Sequence, residues 1–171
     1  MKVASFDIVF QEIPGEVTLA LNLSGCPCHC PGCHSPHLWE DIGEPLNAEL
    51  MDGLIARYGS MITCVCFMGG DQDPEEVARW ATYVKSEIGN LKLKTAWYSG
   101  RQQSSIIDKS SINSTSSIVQ SSIPFDYVKL GPYIDSLGGL KSPTTNQRLY
   151  KRVGDSWEDI TSTFWRNGLG V

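Results

Sequence analysis

Residues 17–33 read VTLALNLSGCPCHCPGC, and this stretch decides the fold. Val17, Leu19, Leu21 and Leu23 alternate with smaller or polar residues, the period of a strand with one buried face. The strand ends at Ser24-Gly25 and runs straight into Cys26, Cys28, Cys30 and Cys33. A turn dense in metal-binding side chains, directly after a strand, suits an α/β architecture, where chemistry sits at the carboxyl ends of strands.

The rest of the chain supports that class. A helix is predicted over Ala48–Tyr58, capped by Asn47, with Leu50, Met51, Leu54, Ile55 and Tyr58 on one face and Gly59 as its stop. Met61–Met68 (MITCVCFM) is a continuous apolar run, as in a strand buried on both faces. Asp73-Pro74-Glu75-Glu76 then opens a second helix, with Pro74 at its first position and Glu76 three residues after the cap. Val77, Trp80, Ala81, Val84 and Ile88 share one helical face, and Gly89-Asn90 ends it. Leu91–Tyr98 and Asp126–Leu130 (DYVKL) read as two further strands. Such crossovers imply a mostly parallel sheet covered by helices, either open or curled into a partial barrel.

Each of the four strands meets a polar glycine turn: Ser24-Gly25-Cys26, Gly69-Gly70-Asp71, Ser99-Gly100 and Gly131-Pro132. These turns converge on one end of a parallel sheet, so the cysteine loop lies on the expected functional face. Ser104–Ser122 holds nine serines in 19 residues and reads as a weak helix or a surface loop. Residues 1–171 are expected to form a single domain.

Composition is that of an ordinary globular enzyme, with 41% hydrophobic and 19% charged residues. A net charge of −5 without a basic run argues against a nucleic-acid partner. No apolar run approaches the roughly 18 residues of a membrane span, so no membrane association is expected. Met1–Phe10 contains Asp7 and lacks the pattern of a secretory signal, which points to a cytosolic protein. In that compartment six cysteines are poor candidates for disulfides, and clustered thiols indicate metal or redox chemistry. All three histidines, His29, His34 and His37, sit in or beside the same loop.

Cys26, Cys30 and Cys33 form a C-x₃-C-x₂-C spacing. Three thiolates on a [4Fe–4S] cubane leave one iron without a protein ligand. The amino and carboxylate groups of S-adenosylmethionine can chelate that iron, and an electron from the cluster can then break a C–S bond to give a 5′-deoxyadenosyl radical. Structural zinc is the rival, since four cysteines and three histidines also satisfy it. Zinc sites usually draw ligand pairs from separate hairpins, and no second pair with suitable loop geometry follows. Cys64 and Cys66 share one face of an apolar strand and read as core. Cys28 lies between two ligands and is taken as a free thiol. His34 follows Cys33 closely enough to touch whatever binds the cluster, whereas His29 reads as a loop residue and His37 as solvent-exposed. The backbone at Gly69 and Gly70 can approach a ligand's ammonium group closely, and Asp71 adds charge complementarity. Ser99-Gly100 could border an adenosine or simply make a turn. With no second cysteine set to relay electrons, an external one-electron donor such as flavodoxin is expected.

These residues resemble the radical S-adenosylmethionine superfamily: a C-x₃-C-x₂-C loop after the first strand, and Gly-Gly-acidic after the second. The closer likeness is to activating proteins of anaerobic (class III) ribonucleotide reductases. It is carried by Phe10–Gly25, Cys30-Pro-Gly-Cys33, Tyr98-Ser99-Gly100, Asp126–Ile134 (DYVKLGPYI) and Ser142–Lys151 (SPTTNQRLYK). The resemblance implies an abbreviated βα barrel, a cluster on Cys26, Cys30 and Cys33, and S-adenosylmethionine against Gly32, His34 and Gly70 with Asp71 nearby. It also implies the partner, a large reductase subunit on which a glycyl radical is made. The chain departs from the family at Cys28, an extra thiol, at His34, where an aromatic is often found, and in the serine-rich segment. Two other functions compete: another small radical enzyme, either an activase of a different glycyl-radical protein or one like carboxy-deazaguanine synthase, and a zinc-stabilised binding module.

Overall fold

The structure, a computed structural model, describes residues 1–87, 91–102 and 124–165. Its eight strands are β1 (Lys2–Val9), β2 (Thr18–Leu23), β3 (Glu44–Pro45), β4 (Cys64–Met68), β5 (Lys94–Tyr98), β6 (Tyr127–Leu130), β7 (Arg148–Val153) and β8 (Ser156–Asp159). They form one mixed sheet in the order β3-β1-β2-β4-β5-β6-β7-β8. The four strands read from the sequence, β2, β4, β5 and β6, lie side by side and parallel. Antiparallel strands flank them on both sides, and the sequence reading contains none of these.

Two helices, α1 (Ala48–Tyr58) and α2 (Pro74–Glu87), make the crossovers from β2 to β4 and from β4 to β5. Register explains what they cover. Leu21, Phe67, Trp97 and Val128 stand opposite one another across the four parallel strands. All four are buried in one cluster with Met51, Leu54 and Ile55 of α1 and Val77, Ala81 and Val84 of α2. Burying each large side chain of that row contributes about 1.5–3 kcal/mol. The preceding row, Ala20, Cys66, Ala96 and Tyr127, faces the other way. There Cys64, Cys66, Ala96, Tyr127 and Leu149 pack with Ile13, from the loop before β2. Both helices therefore lie on one side, and loops cover the other.

Helix boundaries follow local chemistry. Asn47 Oδ1 accepts from the Leu50 amide at 2.9 Å, capping α1 as expected. Gly59 ends the helix in right-handed backbone (φ −56°), so its selection is steric. A Cβ there would come 2.5 Å from Ile55 O and 2.7 Å from Leu91 Cδ1. Asp73 Oδ1 accepts from the Glu76 amide at 2.9 Å, capping α2. Glu76 does not complete a capping box. Its two oxygens each take the terminal ammonium of Met1 at 3.0 Å. The strand expected from Met61 begins at Cys64, because Met61 turns out of α1 and is 57% exposed. Ile88, the helix stop at Gly89-Asn90 and the serine-rich Ser104–Ser122 fall outside the described residues. Among the described residues, no helix is long and apolar enough to cross a membrane.

Candidate metal centre

The cysteines occupy a loop that closes on itself. Gly25 leaves β2 in left-handed backbone (φ +74°), a turn that glycine makes without steric cost. Its amide donates to Glu40 O at 3.1 Å, and the Cys26 amide donates to Leu38 O at 2.9 Å. The chain returns to that point through a short 3₁₀ helix, Pro36–Trp39. Inside the loop, the Cys33 amide donates to Cys30 O at 3.0 Å and the Ser35 amide to Cys33 Sγ at 3.4 Å. His29 is left-handed (φ +42°), and its ring lies 4.9 Å from that of Trp39. All four loop cysteines are free and half-buried.

The ligating atoms of Cys26, Cys28 and Asp71 lie within 4.8 Å of one another, and the sulfurs of Cys30 and Cys33 stand outside that group. A cubane places each thiolate on a different iron, so its ligands are more widely spaced than those of a single ion. Cys33 and His34 turn toward a cavity, and the His34 ring lies 4.9 Å from Tyr133. Gly32 faces Asp135, whose Oδ1 would be 3.3 Å from an added Cβ. The turn after β6 thus packs against the cysteine loop. His37 is exposed.

Asp71, only 3% exposed, ties three turns together. Its Oδ1 accepts from Ser99 Oγ at 2.5 Å, and Oδ2 accepts from the Gly100 amide at 3.0 Å and from the Cys28 thiol at 3.8 Å. Arg101 donates to the Asp71 carbonyl at 2.8 Å, and its Nε lies 3.6 Å from Oδ1. Gly69 and Gly70 are both left-handed, and their carbonyls accept from Trp97 Nε1 at 2.7 Å and from the Asp73 amide at 3.0 Å.

Electrostatics separates the thiols. The Cys28 side chain and amide beside it, opposed by burial, hold Cys26 below the ordinary thiol range. The adjacent Cys26 sulfur, with burial and the nearby Asp71 carboxylate, pushes Cys28 up. Burial raises Cys64 and Cys66 as well, as expected of protonated core thiols.

Beside the loop, on the side of the sheet without helices, lies a cavity of about 560 Å³. Its floor is the last row of the parallel strands, where Met68, Tyr98 and Lys129 stand in register. Gln11 and Glu12, Gly139–Lys141 and Phe164 wall it in, and the Tyr98 hydroxyl donates to the Glu12 carbonyl. Sequence reasoning missed Lys129 and Arg101. The only signal for Lys129 was a lysine within the YVKL strand, which fits an outward-facing position equally well.

An iron–sulfur cluster suits this donor set: four free thiols on one loop beside an open cavity. Near the strand ends, Ser24 Oγ and Asn146 Oδ1 are buried without hydrogen-bond partners among the described residues, and Arg101 Nε has only the Asp71 carboxylate, at 3.6 Å. Comparison with known proteins bears on the same residues. A family model described as a 4Fe-4S single cluster domain matches residues 14–126, which run from the loop before β2 to the start of β6. No curated protein and no solved structure matches the chain. With more than half of its 171 residues matched, the chain belongs to the 4Fe-4S single cluster domain family.

Proposed function

We propose that this chain is a radical S-adenosylmethionine enzyme, the activating protein of an anaerobic ribonucleotide reductase. The observation that carries the reading is the C-x₃-C-x₂-C loop at the end of β2, opening through Cys33 and His34 onto a cavity of about 560 Å³. That volume lies within the roughly 300–1,000 Å³ of pre-formed ligand sites.

In this reading Cys26, Cys30 and Cys33 hold the cluster as thiolates and leave one iron open. A bound cluster supplies the electron that reductively cleaves S-adenosylmethionine, so that a hydrogen atom can be taken from a glycine of the large reductase subunit. The protein's own residues bind, orient and exclude water. Gly32, His34, Gly69, Gly70 and Asp71 border the cofactor, and Asp71 holds the turns after β2, β4 and β5 at fixed spacing through Cys28, Ser99 and Gly100. Met68 and the Tyr98 ring supply the apolar part of the cavity floor, beside Lys129. The proposal includes a single domain, a partial βα barrel, a cytosolic setting and an external donor such as flavodoxin.

The test is anaerobic reconstitution with iron, sulfide and zinc assays, EPR of the reduced protein with and without S-adenosylmethionine, and a 5′-deoxyadenosine assay with and without the large subunit. About four irons per chain, a spectrum altered by S-adenosylmethionine, and a glycyl-radical signal only with the subunit are expected. Stoichiometric zinc without a cluster signal would overturn the proposal. Turnover on a small carboxylate without any protein partner would replace it with the carboxy-deazaguanine synthase reading.

A further inference from the structure

Lys129 is the one described lysine whose side chain is buried in the sheet, 8% exposed. Its ammonium donates to Gly131 O at 2.8 Å and to Ser99 O at 3.4 Å. Among the described residues no carboxylate lies within ion-pairing distance of it. Asp71, the acid that acts on it most strongly, is already engaged by Ser99, Gly100, Arg101 and Cys28. Burial pushes the Lys129 pKa down to about 8, while Asp71 and then Cys30, Cys28 and Cys26 draw it back up. So the apoprotein carries a desolvated cation that is held by two backbone carbonyls, has no counter-ion, and feels the thiols of the cysteine loop.

A buried charge without a partner destabilises a protein, and the arrangement becomes favourable once an anion arrives. Register places Lys129 where that anion would be. It stands beside Tyr98 and Met68 in the cavity floor, and Cys33 and His34 line the same cavity. A [4Fe–4S] cluster on three thiolates carries net negative charge, and one-electron reduction adds another unit. A fixed cation at this position interacts more strongly with the reduced state than with the oxidised one. Net charge and burial are two of the terms that set a cluster's potential.

We propose that Lys129 is a positioning residue for charge: a built-in counter-ion that stabilises the reduced cluster on the Cys26–Cys33 loop and raises its reduction potential. The inference rests on the iron–sulfur assignment. It does not need S-adenosylmethionine cleavage or a reductase partner to be correct.

The experiment is an EPR-monitored redox titration of the reconstituted full chain, with iron content measured for each variant. Lys129→Gln removes the charge and keeps an N–H donor for Gly131 O, whereas Lys129→Arg keeps the charge. The expected result is a midpoint potential lower in Lys129→Gln than in wild type, at equal iron content, with Lys129→Arg close to wild type. An unchanged potential in Lys129→Gln overturns the proposal. If Lys129→Gln holds no cluster while Lys129→Arg holds one at the wild-type potential, charge is still assigned the role. Loss of the cluster in both variants assigns it to side-chain shape and overturns the proposal. A wild-type protein that binds no iron would refute the iron–sulfur assignment, an outcome separate from all of these. Absence of 5′-deoxyadenosine would count against the proposed reaction and leave the potential measurement intact.

Discussion

The Cys28 thiol donates to Asp71 Oδ2 at 3.8 Å, so a cysteine inside the metal-binding loop is occupied by a buried carboxylate of the next turn. Gly100 fits against the same sulfur, and a Cβ added there would lie 2.5 Å from Cys28 Sγ. Three turns of the sheet therefore meet at one thiol.

Gly100→Ala is expected to destabilise the apoprotein by about 1–3 kcal/mol, because the new methyl overlaps Cys28. The backbone at Gly100 is not left-handed, so the Cys28 side chain, sulfur first and then Cβ at 3.2 Å, is what opposes the substitution. In the double variant Cys28→Ala, Gly100→Ala most of that loss should return, since the sulfur is gone. A chemical-denaturation double-mutant cycle measures the coupling, and additive losses would count against the contact.

Ligand identity is open to a direct contrast. Cys30→Ser is expected to abolish cluster assembly, because it removes a thiolate. Cys28→Ser should retain the iron of the wild type, since its sulfur faces Asp71. Iron and sulfide assays after anaerobic reconstitution decide both, and loss of iron in Cys28→Ser would make that residue a ligand.

At the opposite end of the sheet, Glu16 accepts from Lys94 Nζ at 2.5 Å, Tyr127 OH at 2.7 Å and Thr63 Oγ1 at 2.7 Å. Burial alone would raise its pKa, but these partners together hold it below the ordinary value of 4.5. The stability that Glu16 contributes is therefore complete above the unfolded pKa and is lost as pH falls through the lower folded one. Glu16→Gln should cost about 1–3 kcal/mol at neutral pH. Melting temperatures of the two proteins should converge under acid conditions, and a gap that stays constant with pH would contradict this account.

Gly70 combines left-handed backbone (φ +82°) with close packing, since a Cβ would stand 2.5 Å from Val77 Cγ2 and 2.9 Å from Leu23 Cδ1. Gly70→Ala should lower stability by about 2–4 kcal/mol through strain and overlap together. Adding Val77→Ala should relieve only the closer overlap and leave Leu23 and the backbone strain, so a denaturation series showing full recovery would mean that both are negligible here.

The parallel heart of the sheet was legible because a strand buried on both faces leaves a plain apolar signature, as in CVCFM of β4. The edges were not. β8 reads SWED, and β1 carries exposed Ser5, Phe6 and Asp7 in a row, so neither shows a clean alternation. The cysteine loop announced itself by composition. Lys129 did not, because a lysine in DYVKL looks like the outward residue of a half-exposed strand. Its burial depends on Glu12 and Leu140, more than 100 and about 10 residues away in the chain, closing over the same face. Asp71 was noticed for its charge, but its partners Ser99, Gly100 and Arg101 come from a different turn.

The walls of the cavity have a consequence for the order in which the protein can be assembled. The cysteine loop closes its own backbone contacts within residues 25–40. The enclosure beside it needs Lys129 of β6, Gly139–Lys141 and Phe164, which are made only later. A nascent chain would thus display its thiols well before it can wall in the cavity beside them. Loading of the metal belongs after those later segments have docked.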